Sequence, residues 1–220
     1  ISDSKLNGVK IVFSVPKFHP RSKEISEYTY SLITLNELPQ TEIYNLTKNH
    51  IFIIDESVSK LDFVRKFIEG IKIKPIILKS IEHEVKTKSF VDNLIKQYSL
   101  DKTKNMTLIV IGGGLLLNVA AYISERISAN FIQLPSTVLS MADSAGGKVR
   151  VNFITENRAY KHFYKSYYEP NAMLLEDRFL DPLPKKQIKI GLVEIIKHGL
   201  FQSPKLYDFL LYSGTELFTN

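Results

Sequence analysis

Residues 108–114 carry the sequence LIVIGGG, and this stretch decides the fold of the chain. Four apolar residues followed by glycines predict a buried strand that ends in a tight turn. An apolar helix over residues 115–123 and another strand over residues 131–134 come next. A strand, glycine turn and helix in this order place backbone N–H groups at a helix N-terminus, where a diphosphate can bind. Taken alone, the glycine triplet is equally compatible with a turn that binds nothing.

Outward from this unit, predicted strands and helices alternate. The sequence predicts strands over residues 51–54, 76–78 and 172–175 and helices over residues 59–68 and 89–98. Such alternation predicts parallel pairing through right-handed crossovers, which is typical of an α/β fold. Two earlier β-like runs, residues 9–15 and 28–35, can pair as a hairpin. After residue 135 we expect less regular structure, with a charged aromatic loop over residues 158–168 and helices near residues 185–200 and 204–212.

The amino-acid composition limits which classes of protein and of binding partner are possible. Of the 220 residues, 44% are hydrophobic, so the chain can bury a substantial core. The formal net charge of +6 favours anionic partners such as phosphorylated metabolites or, less specifically, nucleic acid. Because the chain has no cysteine, His, Asp or Glu must bind any metal. No apolar run is long enough to span a membrane and no secretory signal is visible, so a cytoplasmic location is the default expectation.

Polar residues at two places suggest binding of a nucleotide or a phosphate. Asp55 directly follows a predicted strand, where a carboxylate can accept hydrogen bonds from ribose hydroxyls or can cap the helix that follows. Lys148 and Arg150 follow Gly146 and Gly147, so their side chains can approach a phosphate or lie in a solvated hairpin. The residues alone leave both alternatives open.

A third set of polar residues lies on the predicted helix near residues 185–200. Glu194 and Lys197 are three residues apart, and Glu194 and His198 are four apart, so all three project from one face. A surface salt bridge explains this spacing as well as a functional site does.

Residues 158–168, RAYKHFYKSYY, interleave basic and aromatic side chains, as a surface for single-stranded nucleic acid would. The aromatic residues are confined to this one segment, and the remaining basic residues are scattered among acidic ones. Nucleic-acid binding is therefore the distant alternative.

Five segments, taken in order, resemble the 3-dehydroquinate synthase family and its sugar-phosphate cyclase relatives. They are IGGG at 111–114, FIQLPST at 131–137, DSAGGK at 143–148 with VN at 151–152, residues 161–170, and GLVEIIKHG at 191–199. The resemblance implies a Rossmann-like parallel-sheet domain that binds NAD, which we assign to residues 1–182. It also implies that residues 183–220 begin a mainly helical domain that binds metal and substrate, and that the protein is a homodimer.

The resemblance further implies a mechanism. In this family, bound NAD transiently oxidises a substrate hydroxyl, phosphate leaves, and the ring closes in an aldol step after the ketone is reduced again. A divalent metal, usually zinc or cobalt, polarises the oxidised oxygen. The leading case is an NAD- and metal-dependent lyase that forms 3-dehydroquinate from a seven-carbon keto acid phosphate.

The resemblance also assigns roles to residues. The cofactor-binding set is Asp55, Ser57, Glu84, Lys86, Gly113, Gly114, Leu115, Leu116, Leu117, Asn118, Ser136, Thr137, Lys148, Lys161, Phe179 and Pro182. The catalytic set, expected to meet the substrate or its phosphate, is Asp143, Lys148, Lys161, His162, Lys197 and, across a dimer, Arg126. Glu194 matches the first metal ligand of the family, whereas the two histidine ligands that follow in the family have no counterpart here.

Departures from the family pattern widen the choice of substrate. Leu117 and Asn118 stand where dehydroquinate synthases usually have glycine and aspartate. His162 replaces an asparagine that contacts substrate phosphate, and an imidazole can form an ion pair there only when it is protonated. These changes keep open a secondary-metabolic cyclase that makes a valiolone-like or deoxy-inosose-like ring, or a relative that binds NAD without catalysis. With one matched metal ligand, the 220-residue chain is expected to be inactive by itself.

Overall fold

A computed structural model describes residues 10–18, 25–35, 49–71, 73–102, 105–144, 147–156 and 158–219. Gly146, one of the paired glycines singled out in the sequence, lies outside the described residues. Among the described residues, no helix is both long and apolar enough to cross a membrane.

The central element is a seven-stranded sheet with the order β1-β2-β9-β6-β5-β3-β4. Its strands are β1 (Lys10–Phe18), β2 (Ile25–Leu35), β3 (His50–Asp55), β4 (Ile76–Leu78), β5 (Thr107–Gly112), β6 (Asn130–Pro135) and β9 (Ala172–Glu176). Only the edge strand β1 runs antiparallel, to β2; the other neighbouring pairs are parallel. The predicted α/β fold with a parallel sheet and the predicted hairpin are therefore confirmed.

Helices connect the parallel strands and continue beyond the last one. They are α1 (Glu56–Ser59), α2 (Asp62–Gly70), α3 (Glu82–Val85), α4 (Lys88–Gln97), α5 (Gly114–Ile127), α6 (Val138–Asp143), α7 (Lys185–Gln202) and α8 (Pro204–Thr219), with 3₁₀ turns at Leu100–Lys102 and Asp177–Phe179. The helix predicted after the glycine triplet thus begins within the triplet, at Gly114. It ends at Ile127, and the next residue, Ser128, adopts the left-handed conformation with φ 53°.

Successive strand residues bury their side chains on opposite faces of the sheet, which gives two cores. On one face, Ile53, Leu108 and Val110 pack with apolar residues of α4 and α5. On the other face, Ile109 and Ile111 pack with apolar residues of α1 and α2. Burying each such side chain stabilises the fold by about 1.5–3 kcal/mol. Both faces are covered, which explains why these strands are continuous apolar runs in the sequence.

The prediction of an irregular loop over residues 158–168 is wrong. This segment forms strand β8 (Ala159–Tyr167), which pairs antiparallel with β7 (Lys148–Ile154) in a separate two-stranded sheet. Val149 and Val151 of β7 are fully buried in the core that contains α5, and Tyr164 of β8 packs against that core. Four aromatic residues, Tyr160, Phe163, Tyr164 and Tyr167, give this charged segment a β propensity that the prediction overlooked.

Helices α7 and α8 begin after the sheet is complete, as predicted. Gly191 lets α7 approach α6 closely, because a Cβ atom at Gly191 would lie 2.4 Å from Val138 Cβ and 2.6 Å from the backbone nitrogen of Leu139. At Gly191, the backbone of α7 therefore packs directly against the Val138 side chain of α6. The division of the chain at residue 182 stays a prediction.

Replacing Gly191 by alanine is expected to lower the free energy of unfolding by about 1–3 kcal/mol, because the added methyl group overpacks the contact with α6. In an uncrowded helix the same change would stabilise by about 1 kcal/mol. Urea denaturation followed by circular dichroism measures the difference. Gly114→Ala is the matched control, since a Cβ at Gly114 would lie 3.9 Å from its nearest neighbour. A Gly191→Ala variant as stable as the parent would contradict the described packing.

Candidate functional site

The carboxyl ends of parallel strands meet at one edge of the sheet, and two cavities open there. The first, which we call the carboxylate cavity, has a volume of about 380 Å³. The second, which we call the cationic cavity, has a volume of about 270 Å³. Gly113 lines the carboxylate cavity and its neighbour Gly114 lines the cationic cavity, so the glycine turn lies between them.

The glycine turn brings the end of β3 and the start of α5 into close contact. A Cβ atom at Gly112 would lie 2.8 Å from Leu116 Cδ2 and 3.3 Å from Asp55 Cβ. Gly113 is the residue before α5 and provides no side-chain cap for it. Unsatisfied N–H groups in the first turn of a helix, together with the helix dipole, favour a bound anion. The turn is therefore suited to a phosphate or diphosphate.

Asp55 fulfils both roles that its position in the sequence allows. Its Oδ1 atom accepts a hydrogen bond of 2.8 Å from the backbone N–H of Ser57 and another from the Ser57 hydroxyl, so the residue caps α1. Its side chain also lines the carboxylate cavity. Both described hydrogen bonds use Oδ1, which leaves Oδ2 as the oxygen that a ligand in the cavity would meet.

The structure brings most of the predicted cofactor residues to the two cavities. The carboxylate cavity is lined by Asp55, Ser57, Gly113, Ser136, Thr137, Phe179 and Pro182. The cationic cavity is lined by Lys86, Gly114, Leu117, Asn118 and Lys148. The other four line neither cavity. Leu116 is buried in the core, Leu115 packs against it, Glu84 is exposed beside His83, and Lys161 is exposed on β8.

Asn118 fixes strand β7 against helix α5. Its Nδ2 donates a hydrogen bond of 2.9 Å to the carbonyl oxygen of Lys148, and its Oδ1 accepts one of 3.1 Å from the backbone N–H of Arg150. The side-chain amide of Asn118 thus forms one donor and one acceptor hydrogen bond with β7, as the backbone of a neighbouring strand would. Its structural effect is to position Lys148 and Arg150 beside the N-terminus of α5.

A bulge in β8 carries Lys161 and His162. Three residues, 161–163, stand opposite the single residue Asn152 of β7, and His162 adopts a left-handed φ of 53°. Asn152 Oδ1 accepts a hydrogen bond of 2.9 Å from the His162 backbone N–H, while the Asn152 N–H donates one of 2.8 Å to the carbonyl oxygen of Lys86. Asn152 therefore links the two segments that carry these basic residues.

Crowded positive charge characterises the cationic cavity. Burial lowers the pKa of Lys86, and the nearby Lys161 and Arg150 lower it further, while Glu82 opposes the shift. Desolvation also lowers the pKa of His162, and the charges of Lys86 and Arg150 add to this effect. The imidazole is therefore neutral at neutral pH, and a bound anion would relieve the repulsion among the cations.

Arg150, which the sequence placed either near a phosphate or in a solvated hairpin, lines the cationic cavity, and its guanidinium lies 5.7 Å from the Tyr167 ring centroid. The sequence assigned no role to Gln133. Gln133 also lines this cavity, is 1% exposed, and its Nε2 has no hydrogen-bond partner among the described residues. Because successive residues of a strand face opposite sides, the sequence of β6 places Gln133 on the face of the sheet toward α5. Only the fold shows that a cavity lies on that face.

A second group of polar residues lies where α6 ends against α7. Asp143, Glu194 and His198 each offer a ligand atom, and these atoms lie within 4.8 Å of one another. The Lys197 ammonium forms an ion pair with the Glu194 carboxylate, which raises the pKa of Lys197. The salt bridge suggested by the sequence is thus present, and so is the proximity of Asp143, which also lines the cationic cavity.

Arg126 lies apart from this group, on the last turn of α5. Its guanidinium is 3.4 Å from Asp92 Oδ1 on α4. About 43% of its side chain is exposed, so it remains accessible to a partner. The role of Arg126 across a dimer stays a prediction.

Several aromatic residues of β7 and β8 contact one another. The Phe163 ring lies 5.1 Å from the Tyr164 ring and 5.3 Å from the Phe153 ring, as centroid distances. Phe163 and Tyr167 nevertheless keep 57% and 54% of their surface exposed, so nucleic-acid binding stays the distant alternative prediction.

Sequence comparison identifies relatives of this chain. The family described as 3-dehydroquinate synthase N-terminal matches residues 76–190. A 3-dehydroquinate synthase of Bacillus cytotoxicus is 30% identical over 206 residues, which cover 89% of this chain and 54% of that protein. The enzyme of that name from Ruminiclostridium cellulolyticum is 28% identical over 76% of this chain and 48% of its own length. The chain spans about half the length of the curated relatives it matches.

Solved structures show the same fold. The 2-epi-5-epi-valiolone synthase ValA of Streptomyces hygroscopicus, with NAD+ and Zn2+ bound, has a TM-score of 0.71 at 20% identity, over 89% of this chain and 56% of its own. A 2-deoxy-scyllo-inosose synthase complexed with carbaglucose-6-phosphate, NAD+ and Co2+ has a TM-score of 0.63 at 23% identity, over 84% of this chain and 51% of its own.

Binding of a dianion in the cationic cavity is expected to strengthen several-fold from about pH 8 to about pH 5.5, because protonated His162 adds a positive charge. The sign follows from the lowered pKa of His162, which leaves the imidazole neutral until the pH falls below its ordinary range. Calorimetric titration with sulfate, which stays a dianion throughout, measures this effect. His162→Asn should abolish the pH dependence, and His83→Asn, at an exposed histidine, should not. Unchanged pH dependence in His162→Asn would refute the assignment.

Proposed function

Because this chain belongs to the 3-dehydroquinate synthase family, we propose that it is the NAD-binding part of a divalent-metal-dependent sugar-phosphate cyclase. The observation that carries the proposal is the position of the glycine turn between the two cavities. Asp55 lies on one side of the turn and a group of cations on the other. Asp55 is therefore complementary to a ribose hydroxyl, the glycine turn to a diphosphate, and the cations to a phosphorylated substrate.

The carboxylate cavity and the glycine turn fit NAD. Asp55 Oδ2 accepts hydrogen bonds from ribose hydroxyls, and the N–H groups of the first turn of α5 bind the diphosphate. A Cβ at Gly113 would lie 3.5 Å from Thr137 Cγ2, so the glycine is next to another residue that lines the same cavity. When bound, NAD supplies the hydride acceptor and donor for transient oxidation of a substrate hydroxyl.

The cationic cavity fits the phosphate of the substrate. Lys148, Lys86 and Arg150 line it, and His162 adds a charge once a dianion has raised its pKa. The backbone bonds of Asn118 and Asn152 hold these residues in place, which keeps the cations together despite their repulsion. Charge-assisted hydrogen bonds from several cations favour a dianionic phosphate over a neutral sugar.

The residues at the end of α6 and on α7 fit a divalent metal and the substrate oxygens near it. Glu194 supplies a carboxylate ligand, and the buried nitrogen Nε2 of His198 lies 3.4 Å from its Oε1 atom. When bound, the metal acts as a Lewis acid on a substrate oxygen. Lys197, whose raised pKa keeps Nζ protonated, donates a hydrogen bond to a substrate oxygen, and Asp143 accepts one.

The substrate we favour is a seven-carbon keto acid phosphate, which the complete protein converts to 3-dehydroquinate. All curated relatives described above bear the name of that activity. A cyclase that forms a valiolone-like or deoxy-inosose-like ring is the second candidate. The observations in its favour are Asn118, His162 and the likeness to ValA.

The complete protein is expected to release inorganic phosphate from the keto acid phosphate when NAD and Co2+ are supplied, whereas the 220-residue chain alone is expected to release none. Lys148→Ala should lower kcat/KM by about a hundredfold, because the phosphate loses a charge-assisted partner. Lys96→Ala, at an exposed lysine on α4, is the matched control. A phosphate-release assay that also includes sedoheptulose 7-phosphate and glucose 6-phosphate distinguishes the two candidates. No release from the keto acid phosphate would exclude the first.

A further inference from the structure

Gln133 is a buried polar residue of the cationic cavity to which the proposed function gives no role. It lines the cavity, only 1% of it is exposed, and its Nε2 has no hydrogen-bond partner among the described residues. We propose that Gln133 is a further ligand-binding residue, whose side-chain amide donates a hydrogen bond to a phosphoryl oxygen of the ligand in this cavity. The inference rests on the proposed function, because it adds a neutral donor to the cations assigned to the phosphate.

The sheet fixes the main chain of Gln133 on both sides. Strand β6 lies between β5 and β9, and Gln133 pairs with Val110 of β5 and with Met173 of β9. Its chain neighbours Ile132 and Leu134 are buried in the core that contains α1 and α2, so the Gln133 side chain extends from the opposite face, toward α5. The point from which the amide reaches into the cavity is therefore fixed.

A glutamine is an unfavourable choice at this place unless its amide has a partner. The residues beside it on the same face, Val110 and Phe131, are apolar and belong to the core that contains α5. A buried amide donor without a partner loses its hydrogen bonds to water, whereas an apolar side chain would lose none. An acceptor that enters the cavity restores a hydrogen bond to Nε2. The unpaired donor therefore indicates a ligand with an acceptor oxygen.

Most polar groups that line the cavity are hydrogen-bond donors. Lys86, Lys148 and Arg150 carry positive charge, and Gly114 is the first residue of α5, whose initial N–H groups have no partner within the helix. Asp143 is the one carboxylate among the described lining residues, and it is exposed. A ligand that satisfies several converging donors must be rich in acceptor oxygens, as a phosphate is.

The shape of the cavity places Gln133 in its inner part. The lining residues from Gly114 to Ala121 follow α5 for about 10 Å, and Phe131, farther from the carboxyl edge of the sheet than Gln133, also lines the cavity. The volume of about 270 Å³ equals that of roughly nine water molecules, which is more than a phosphate group alone requires. A substrate whose hydroxyl meets the exposed Asp143 therefore directs its phosphate inward, toward Gln133.

A neutral donor suits a site that is already crowded with positive charge. Burial, and after it the charges of neighbouring cations, lowers the pKa values of Lys86 and His162, so a further cation at position 133 would increase the repulsion. An amide adds a hydrogen bond without adding charge, and it does not titrate. The contribution of Gln133 to phosphate affinity is therefore independent of pH, in contrast to that of His162.

Calorimetric titration of inorganic phosphate into the 220-residue chain and into its Gln133→Met variant tests the proposal. Methionine keeps the length of the side chain but has no hydrogen-bond donor. We expect the affinity for phosphate to fall about tenfold, because a hydrogen bond to a charged group is lost. The midpoint of urea denaturation should stay equal or rise, because the variant no longer buries an unpaired donor.

Thr107→Val is the matched control. Thr107 is also 1% exposed and its Oγ1 has no hydrogen-bond partner among the described residues, but it lines neither cavity. This variant should resemble Gln133→Met in stability and the parent in its affinity for phosphate.

The side-chain amide resonances in a nitrogen-15 NMR spectrum provide a direct readout of the contact. The Nε2 proton pair that is missing from the spectrum of Gln133→Met identifies Gln133 in the parent. We expect phosphate to shift this pair downfield, because the amide then donates to an anion. A glutamine with a purely structural role would not respond in this way.

Four outcomes would overturn the proposal. They are the absence of saturable phosphate binding by the parent, equal affinity in the parent and Gln133→Met, an amide pair that phosphate leaves unshifted, and a loss of stability in Gln133→Met that accompanies the loss of affinity. The last outcome would indicate a structural role, such as a hydrogen bond to a buried water molecule. None of them decides the cyclase assignment, which phosphate release from the complete protein tests. Conversely, an effect of Gln133→Met on phosphate affinity would stand even if the complete protein turned over no substrate.

Discussion

The close contact at Gly112 is the constraint on which the rest of the site depends. Because no side chain intervenes, the end of β5, the Asp55 end of β3 and the Leu116 turn of α5 lie within van der Waals distance of one another. A Cβ atom there would meet Leu116 Cδ2 at 2.8 Å, and the helix would have to move outward. That movement would separate the Asp55 carboxylate from the N-terminus of α5, which are the two groups proposed to bind different parts of one dinucleotide.

Two asparagines connect the glycine turn and α5 to the basic residues of the cationic cavity. Asn118, on the second turn of α5, pairs through its amide with the backbone of β7, and Asn152 of β7 pairs with the bulge of β8 and with the segment that carries Lys86. Hydrogen bonds between these two asparagines and backbone atoms thus position the segments that carry Lys86, Lys148, Arg150, Lys161 and His162. Desolvation, and after it the repulsion of neighbouring cations, lowers the pKa values of Lys86 and His162, and a bound anion would relieve that repulsion.

Local sequence patterns predicted the sheet and the glycine turn because both depend on neighbouring residues: apolar runs, period-two burial and glycine at the end of a strand. The resemblance to a family then predicted a cofactor-binding set, and most of its residues line the two cavities. Features that depend on distant residues were missed. Asn118 is 32 residues from Arg150, and Asp143 meets His198 only through the α6–α7 crossing, so no local pattern reveals either contact. The β8 strand was mistaken for a loop because its pairing with β7 and its bulge, like these contacts, are tertiary properties.

The claim that a dinucleotide binds across the glycine turn is tested most directly by calorimetric titration of NAD into this chain and into its Asp55→Asn variant. Asparagine also caps helices well, so the variant keeps α1 while the ribose hydroxyls lose a charged acceptor. We expect saturable binding to the parent and an affinity about tenfold to a hundredfold lower in Asp55→Asn. Asp62→Asn, at an exposed aspartate on α2, should bind like the parent. Equal affinity for NAD in all three proteins would contradict the account.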